Sequence, residues 1–244
     1  MANREEKRNL ETIPVGSLGI ISLPGCKPLG EKVDQYLVKW RAERESEHKH
    51  TIAFSGYQRD SYIIGAKTPR FGSGEGKGII EESVRGDDLY IMVDVCNYSL
   101  TYSLFGMTNH MSPDDHFQDL KRIIAAAAGK ARRINVIMPF LYESRQHKRS
   151  QRESLDCAFA LQELIDMGVS NIITFDAHDP RLMNAVPLMS FDNAMPTYQV
   201  LKNLLKKNPE ISFDKDKFIV VSPDEGAMNR NMYFSSVLGC NLGM

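Results

Sequence analysis

None of the four cysteines in this 244-residue sequence, Cys26, Cys96, Cys157 and Cys240, stands in a C-x-x-C pair. Zinc and disulfide frameworks use close, repeated spacings, so this scatter argues against both and reads as reduced thiols in a cytosolic protein. Charge of one sign is missing as well. Lys and Arg total 30 against 31 Asp and Glu, so no global field draws the chain to nucleic acid or to an anionic membrane, and neither is an expected partner. Affinity for phosphate has to be local. No apolar run is long enough to cross a bilayer, and Met1 to Thr12 is charged without an apolar h-region, so membrane spanning and export are not expected and the expected compartment is the cytoplasm. There is no low-complexity tract and no short-period repeat. What remains is an ordinary globular composition, 42% hydrophobic and 25% charged, long enough for a proper core in one large domain or two small ones.

Strand and helix patterns alternate along that length. Leu18 to Leu23 is a short apolar run, followed by Pro24-Gly25 and a helical stretch from about Glu31 to Glu45 with Val33, Tyr36, Leu37 and Trp40 at i, i+3, i+4, i+7 spacing. The charged tail beyond it, with His48 and His50, is a solvated helix end. Asp88 to Val93 predicts a strand, Pro113 to Ala128 a helix closed by Gly129, and Asn135 to Pro139 a strand. Glu153 to Met167 predicts a helix closed by Gly168, and Asn171 to Phe175 the next strand. Such alternation means right-handed βαβ crossovers and a parallel α/β sheet.

Ligands of open α/β sheets sit beyond the carboxyl ends of the strands, which directs attention to three segments. Ile172 to Phe175 runs into Asp176-Ala177-His178-Asp179, and Phe218 to Val221 runs into Ser222-Pro223-Asp224-Glu225. Asp176, His178 and Asp224 form an oxygen-and-imidazole set suited to holding Mg²⁺ against phosphates. Each Asp alone serves equally well as a helix N-cap. The third segment, Phe140 to Glu153, is dense in Arg, Lys and His, and Arg offers phosphate a fixed fork of donors; a solvated charged loop is the plainer reading. Elsewhere, Lys67 to Gly78 carries four glycines in seven positions and predicts a mobile hairpin that matches neither phosphate-binding glycine fingerprint.

Taken together, Glu82-Ser83-Val84-Arg85-Gly86-Asp87-Asp88-Leu89-Tyr90, Tyr142-Glu143-Ser144-Arg145-Gln146, Thr174-Phe175-Asp176-Ala177-His178 and Val221-Ser222-Pro223-Asp224 resemble the ribose-phosphate diphosphokinase (phosphoribosyl pyrophosphate synthetase) family from about Gly19 onward. The resemblance implies Mg²⁺-dependent transfer of the diphosphate of ATP to ribose 5-phosphate, releasing AMP, on a phosphoribosyltransferase-like fold. It assigns His178 and Asp224 to the metal and triphosphate, Arg145 and Gln146 to an ATP-contacting loop, and catalysis to His178 and Arg145. It also places Phe71, Ser73 and Glu75 in a hairpin that holds adenine across a subunit boundary, which implies a homo-oligomer. Phosphoryl-type transfer suits such a site because it asks for positioning and charge neutralisation more than covalent work. Phe71 would stack on the base, or else is a core aromatic of its hairpin.

Two departures fall in nucleotide-contacting segments: His147 stands where the family pattern has an acidic residue, and Ser73 where an Asn is common. The same resemblance divides the chain into a charged extension at 1–15, an α/β domain at 16–195 and the start of a second such domain at 196–244. In that second part the patterns predict a helix at Thr197 to Lys207, one strand at Phe218 to Val221 without a partner, and a helix at about Gly226 to Val237. The expectation is a fragment of the enzyme that turns over little by itself, because the sugar-phosphate loop lies further on in the family. The alternative is a noncatalytic, nucleotide-binding regulatory member of the family.

Overall fold

A computed structural model describes residues 15–46 and 59–244; His48, His50 and the charged extension before Val15 lie outside them. The chain divides into two compact units between Ala194 and Met195.

Among the described residues the first unit holds nine strands: β1 (Leu18–Ser22), β2 (Ala66–Lys67), β3 (Ile79–Ile80), β4 (Asp88–Met92), β5 (Thr101–Leu104), β6 (Met107–His110), β7 (Arg133–Ile137), β8 (Val169–Phe175) and β9 (Ser190–Ala194). Its helices are α1 (Lys27–Ser46), α2 (Pro113–Ala127) and α3 (Asp156–Asp166). Strands β1-β4-β7-β8-β9 form one parallel sheet in chain order. The expected parallel α/β architecture is present.

Burial explains why the strands are β-rich apolar runs. Ile21, Ile91, Val136 and Ile172 are register partners across four strands, and each is fully buried. Against that row pack Phe117, Leu120, Ile123 and Ile124 of α2 and Leu161 and Leu164 of α3. The opposite face, through Ile20 and Met92, packs on Val33, Leu37 and Val38 of α1 and on Tyr62. Side chains alternate across a strand, so adjacent residues feed the two layers.

The segment Tyr62–Ile64 runs beside β1 on the side away from β4: Ile20 N donates to Tyr62 O (2.8 Å) and Ile64 N donates to Ile20 O (2.7 Å). The chain therefore leaves β1 in one direction through α1 and resumes at β4 in the other. This is the reversal at which open sheets form a crevice.

Several expectations need correction. In α1, Val33 and Leu37 face the core, but Tyr36 and Trp40 are more than half exposed and pair with each other at 5.8 Å. The helix starts at Lys27, off a 3-10 turn at Pro24–Cys26, so its inward face is rotated from the expected stripe. Helix α3 begins at Asp156, three residues later than its pattern, because Ser154 O is taken by the Gln146 side chain (2.7 Å). Helix α2 begins where expected, with Pro113 at its first turn and a capping box between Ser112 and Asp115. The β5–β6 hairpin and β9 had no counterpart in the pattern reading. Both are short and polar, with the alternation of neither a buried strand nor a helix.

The second unit contains α4 (Thr197–Lys207), β10 (Ile219–Val221), α5 (Met228–Leu238) and β11 (Asn241–Gly243). The strand expected to stand alone has a partner: β11 pairs with β10 in parallel. Gly239, left-handed at φ 67°, ends α5, and Ser235 bonds Cys240 O (2.9 Å) as the chain turns into β11. Three residues, Asn-Leu-Gly, are too few to announce a strand.

Candidate functional site

Four strand ends of the first unit converge on one edge of the sheet. At the end of β8, Asp176 adopts φ 48°, a conformation unusual outside glycine, and its N–H bonds Ala194 O (3.0 Å). This sharp turn sends Ala177 inward, with its N–H on Asn193 Oδ1 (2.9 Å), and leaves His178 exposed. Asp179 follows, 8% exposed and held by Arg181 through Nη2 (2.6 Å), Nε (3.0 and 3.2 Å) and the backbone N–H (2.9 Å). Hydrogen bonds from Arg181 keep its carboxyl well below the usual carboxylate range; burial opposes this, and the charges of Arg181 and His147 add to it.

The loop after β7 reaches the same place. His147 Nε2 lies 3.3 Å from Asp179 Oδ2, and its ring stands 5.2 Å from that of His178. Gln146 turns its amide into the loop itself, donating to Ser154 O (2.7 Å) and Lys148 O (3.4 Å). Arg145 is exposed, and its positive charge lowers the Cys96 pKa, which burial and Asp94 raise overall. Among the described residues no carboxylate pairs with Arg145, Lys148, Arg149 or Arg152, so this loop offers free cationic donors. At the reversal itself, Asn97 bonds Gly25 O (3.4 Å), and the Cys26 thiol is pushed up to about 12 by burial and by Asp94.

The remaining predicted residues sit elsewhere. Phe71, Ser73 and Glu75 cap the β2–β3 hairpin, all exposed. Phe71 N bonds Glu75 O (2.7 Å), Ser73 Oγ bonds Glu75 Oε2 (2.9 Å), and Lys77 lies 5.8 Å from the Phe71 ring. The hairpin is moored to α2 by Arg70, whose Nη2 is 3.1 Å from Asp119, and to the β5–β6 turn by Phe105 N on Gly72 O (2.9 Å). Phe71 thus presents its ring to solvent and is not a core aromatic. Asp224 belongs to the second unit; it is exposed, and one oxygen accepts from Ala227 N (2.8 Å), as a capping residue does.

Of the predicted set, the first unit brings together His178, Arg145 and Gln146. The reading missed Asp94, Asp179 and Arg181 as participants. Asp94 follows the apolar run of β4 as Asp176 follows β8, so the same signal marked it; Asp179 and Arg181 acquire their role only through the Asp-Pro-Arg turn. A cavity of about 460 Å³ lies nearby between α2 and α3, but Asp114, Glu143, Asp156 and Glu163 line it. Four carboxylates repel a polyphosphate, and the single Lys121 beside them does not balance that charge. Among the described residues no cluster of three or more His, Cys, Asp or Glu forms a cage for a metal ion. Mg²⁺ commonly binds through one or two protein groups plus phosphate oxygens, so the exposed donors here fit a cation that arrives with its phosphates.

The profile of the N-terminal domain of ribose phosphate pyrophosphokinase matches residues 18–168. Ribose-phosphate pyrophosphokinase B of Dictyostelium discoideum is 26% identical over 181 residues, 73% of this chain and 50% of that protein. A ribose-phosphate pyrophosphokinase of Bacillus caldolyticus is 28% identical over 163 residues, 66% of this chain and 45% of that protein. The crystal structure of phosphoribosylpyrophosphate synthetase from Mycobacterium smegmatis superposes with a TM-score of 0.65 at 19% identity, over 93% of this chain and 63% of that one, a likeness of fold. The chain spans about half the length of the curated relatives it matches.

Proposed function

From the premise that the chain belongs to the ribose phosphate pyrophosphokinase family, we propose that the protein it represents transfers the diphosphate of ATP to ribose 5-phosphate, giving phosphoribosyl pyrophosphate and AMP. The observation that carries this reading is the junction of His178 with the Arg145 loop through Asp179 on one edge of the sheet. Arg145 and the exposed cations beyond it would hold the polyphosphate and neutralise charge as the bond to AMP breaks. Phe71, Ser73 and Glu75 would hold the adenine, Phe71 by stacking on its face. The family resemblance implies that this hairpin reaches the adenine of ATP bound on a neighbouring subunit, and the working form would be a homo-oligomer. Mg²⁺ would be held by His178 together with phosphate oxygens, and would supply Lewis-acid neutralisation of the phosphates when bound.

The test is AMP release from ATP and Mg²⁺ with and without ribose 5-phosphate. Sugar-dependent AMP that disappears in His178→Ala, at unchanged melting temperature, supports the transfer; full turnover in that variant refutes the role of His178. A second reading, nucleotide binding without turnover, is favoured by Gln146, whose amide is committed to its own loop. ATP binding with no AMP under any sugar condition would select it, and would suit a chain that turns over little by itself.

A further inference from the structure

We infer that His147 is a positioning residue that ties the basic loop after β7 to the turn after β8, so that Arg145 and His178 meet one polyphosphate as a single body. The inference deepens the proposed function and rests on it. His147 Nδ1 faces Arg145 O at 3.2 Å, and Nε2 faces Asp179 Oδ2 at 3.3 Å. Both neighbours are acceptors, so a neutral ring donates to one of them, its tautomer choosing which, and an imidazolium donates to both. Its side chain is only 12% exposed, which limits competition from water.

The far anchor is rigid. Asp179 is held by the Arg181 fork and by the backbone N–H of Arg181. The rest of the loop bonds mainly to itself and to the start of α3, through Gln146 to Ser154 O and Cys157 N to Gln146 O. His147 to Asp179 is a polar contact between the loop and the β8 turn. An acidic side chain at this position, as in the pattern from which the sequence departs, would set two carboxylates against each other; an imidazole that carries its proton on Nε2 makes the contact attractive. Holding donors in place before the ligand arrives saves the ordering cost of binding, which is how a residue that need not touch ligand acts on affinity.

The experiment compares the chain with its His147→Ala and His147→Gln variants by amide hydrogen exchange over residues 145–153 and by calorimetric titration with MgATP. Loss of the tie should speed exchange across the loop and weaken MgATP about fivefold, the scale of one modest polar contact. His147→Gln, which keeps a donor toward Asp179, should restore most of both. Unchanged exchange in His147→Ala overturns the tie. A fall in melting temperature that His147→Gln does not rescue also overturns it, by showing a role in holding the fold alone. Faster exchange in a chain whose wild type binds no MgATP overturns instead the functional reading on which the inference rests.

Discussion

The two units use the same local grammar of strand, helix and parallel strand, yet they bury very different amounts of it. In the first, Ile21, Leu89, Ile91, Val136 and Ile172 are fully buried between helices. In the second, Ile219 and Val221 of β10 are 53% and 58% exposed, and no residue of α5 is buried. A parallel strand is stable when both faces are covered. The contrast teaches that β-branched sequence chooses the strand, whereas neighbours supply its stability.

The largest test of this contrast is a matched pair of truncations. Ile91→Ala should cost about 3 to 4 kcal/mol, and Ile219→Ala less than about 1 kcal/mol. Urea unfolding followed by Trp40, the single tryptophan and a residue of the first unit, measures the former, and hydrogen exchange in β10 measures the latter. Equal costs would break the comparison.

Two glycines sharpen it next. A Cβ on Gly78 would lie 2.5 Å from Arg122 O, because the β2–β3 hairpin presses directly on the α2 backbone. A Cβ on Gly243 would meet side chains alone, Ile219 at 3.2 Å and Val221 at 3.8 Å. Gly78→Ala should therefore cost about 2 kcal/mol, and Gly243→Ala within about 0.5 kcal/mol. Thermal melts of the two variants decide it.

The smallest effect concerns charge. Burial, followed by Asp156 and Asp114, raises the Glu143 pKa above its ordinary value. The stability linked to this carboxyl is then fully present below its unfolded value of about 4.3 and lost as pH rises through the folded value. Glu143→Gln should raise the melting temperature slightly at pH 7 to 8 and leave it unchanged near pH 4. Glu225→Gln, on the exposed turn of the second unit, should change it little at either pH. A gain from Glu143→Gln that grows toward acid would contradict the assignment.

Much of this was legible along the chain. Strands β1, β4, β7 and β8 of the large sheet are apolar runs, and α2 carries a Ser-Pro-Asp-Asp start and a Gly after its end, so local chemistry announced them. Tyr36 and Trp40 misled because helical spacing sets which residues share a face, while the sheet decides which face turns inward. His178 and the basic loop stood out from their place after strands, and the family resemblance pointed to Arg145 and Gln146 within that loop. The Asp179–His147 link was not, since the partners lie thirty-two positions apart and only the parallel adjacency of β7 and β8 brings their loops together.

The sequence by itself determined the parallel α/β class, the basic loop and the family, because periodicity, turn residues and short motifs are local properties. Tertiary structure alone decided that the chain reverses beside β1, that β11 partners β10, and that His147 meets Asp179. Those outcomes depend on which strands lie side by side, and hydrogen bonding between strands distant in sequence is set by the packing of the whole sheet.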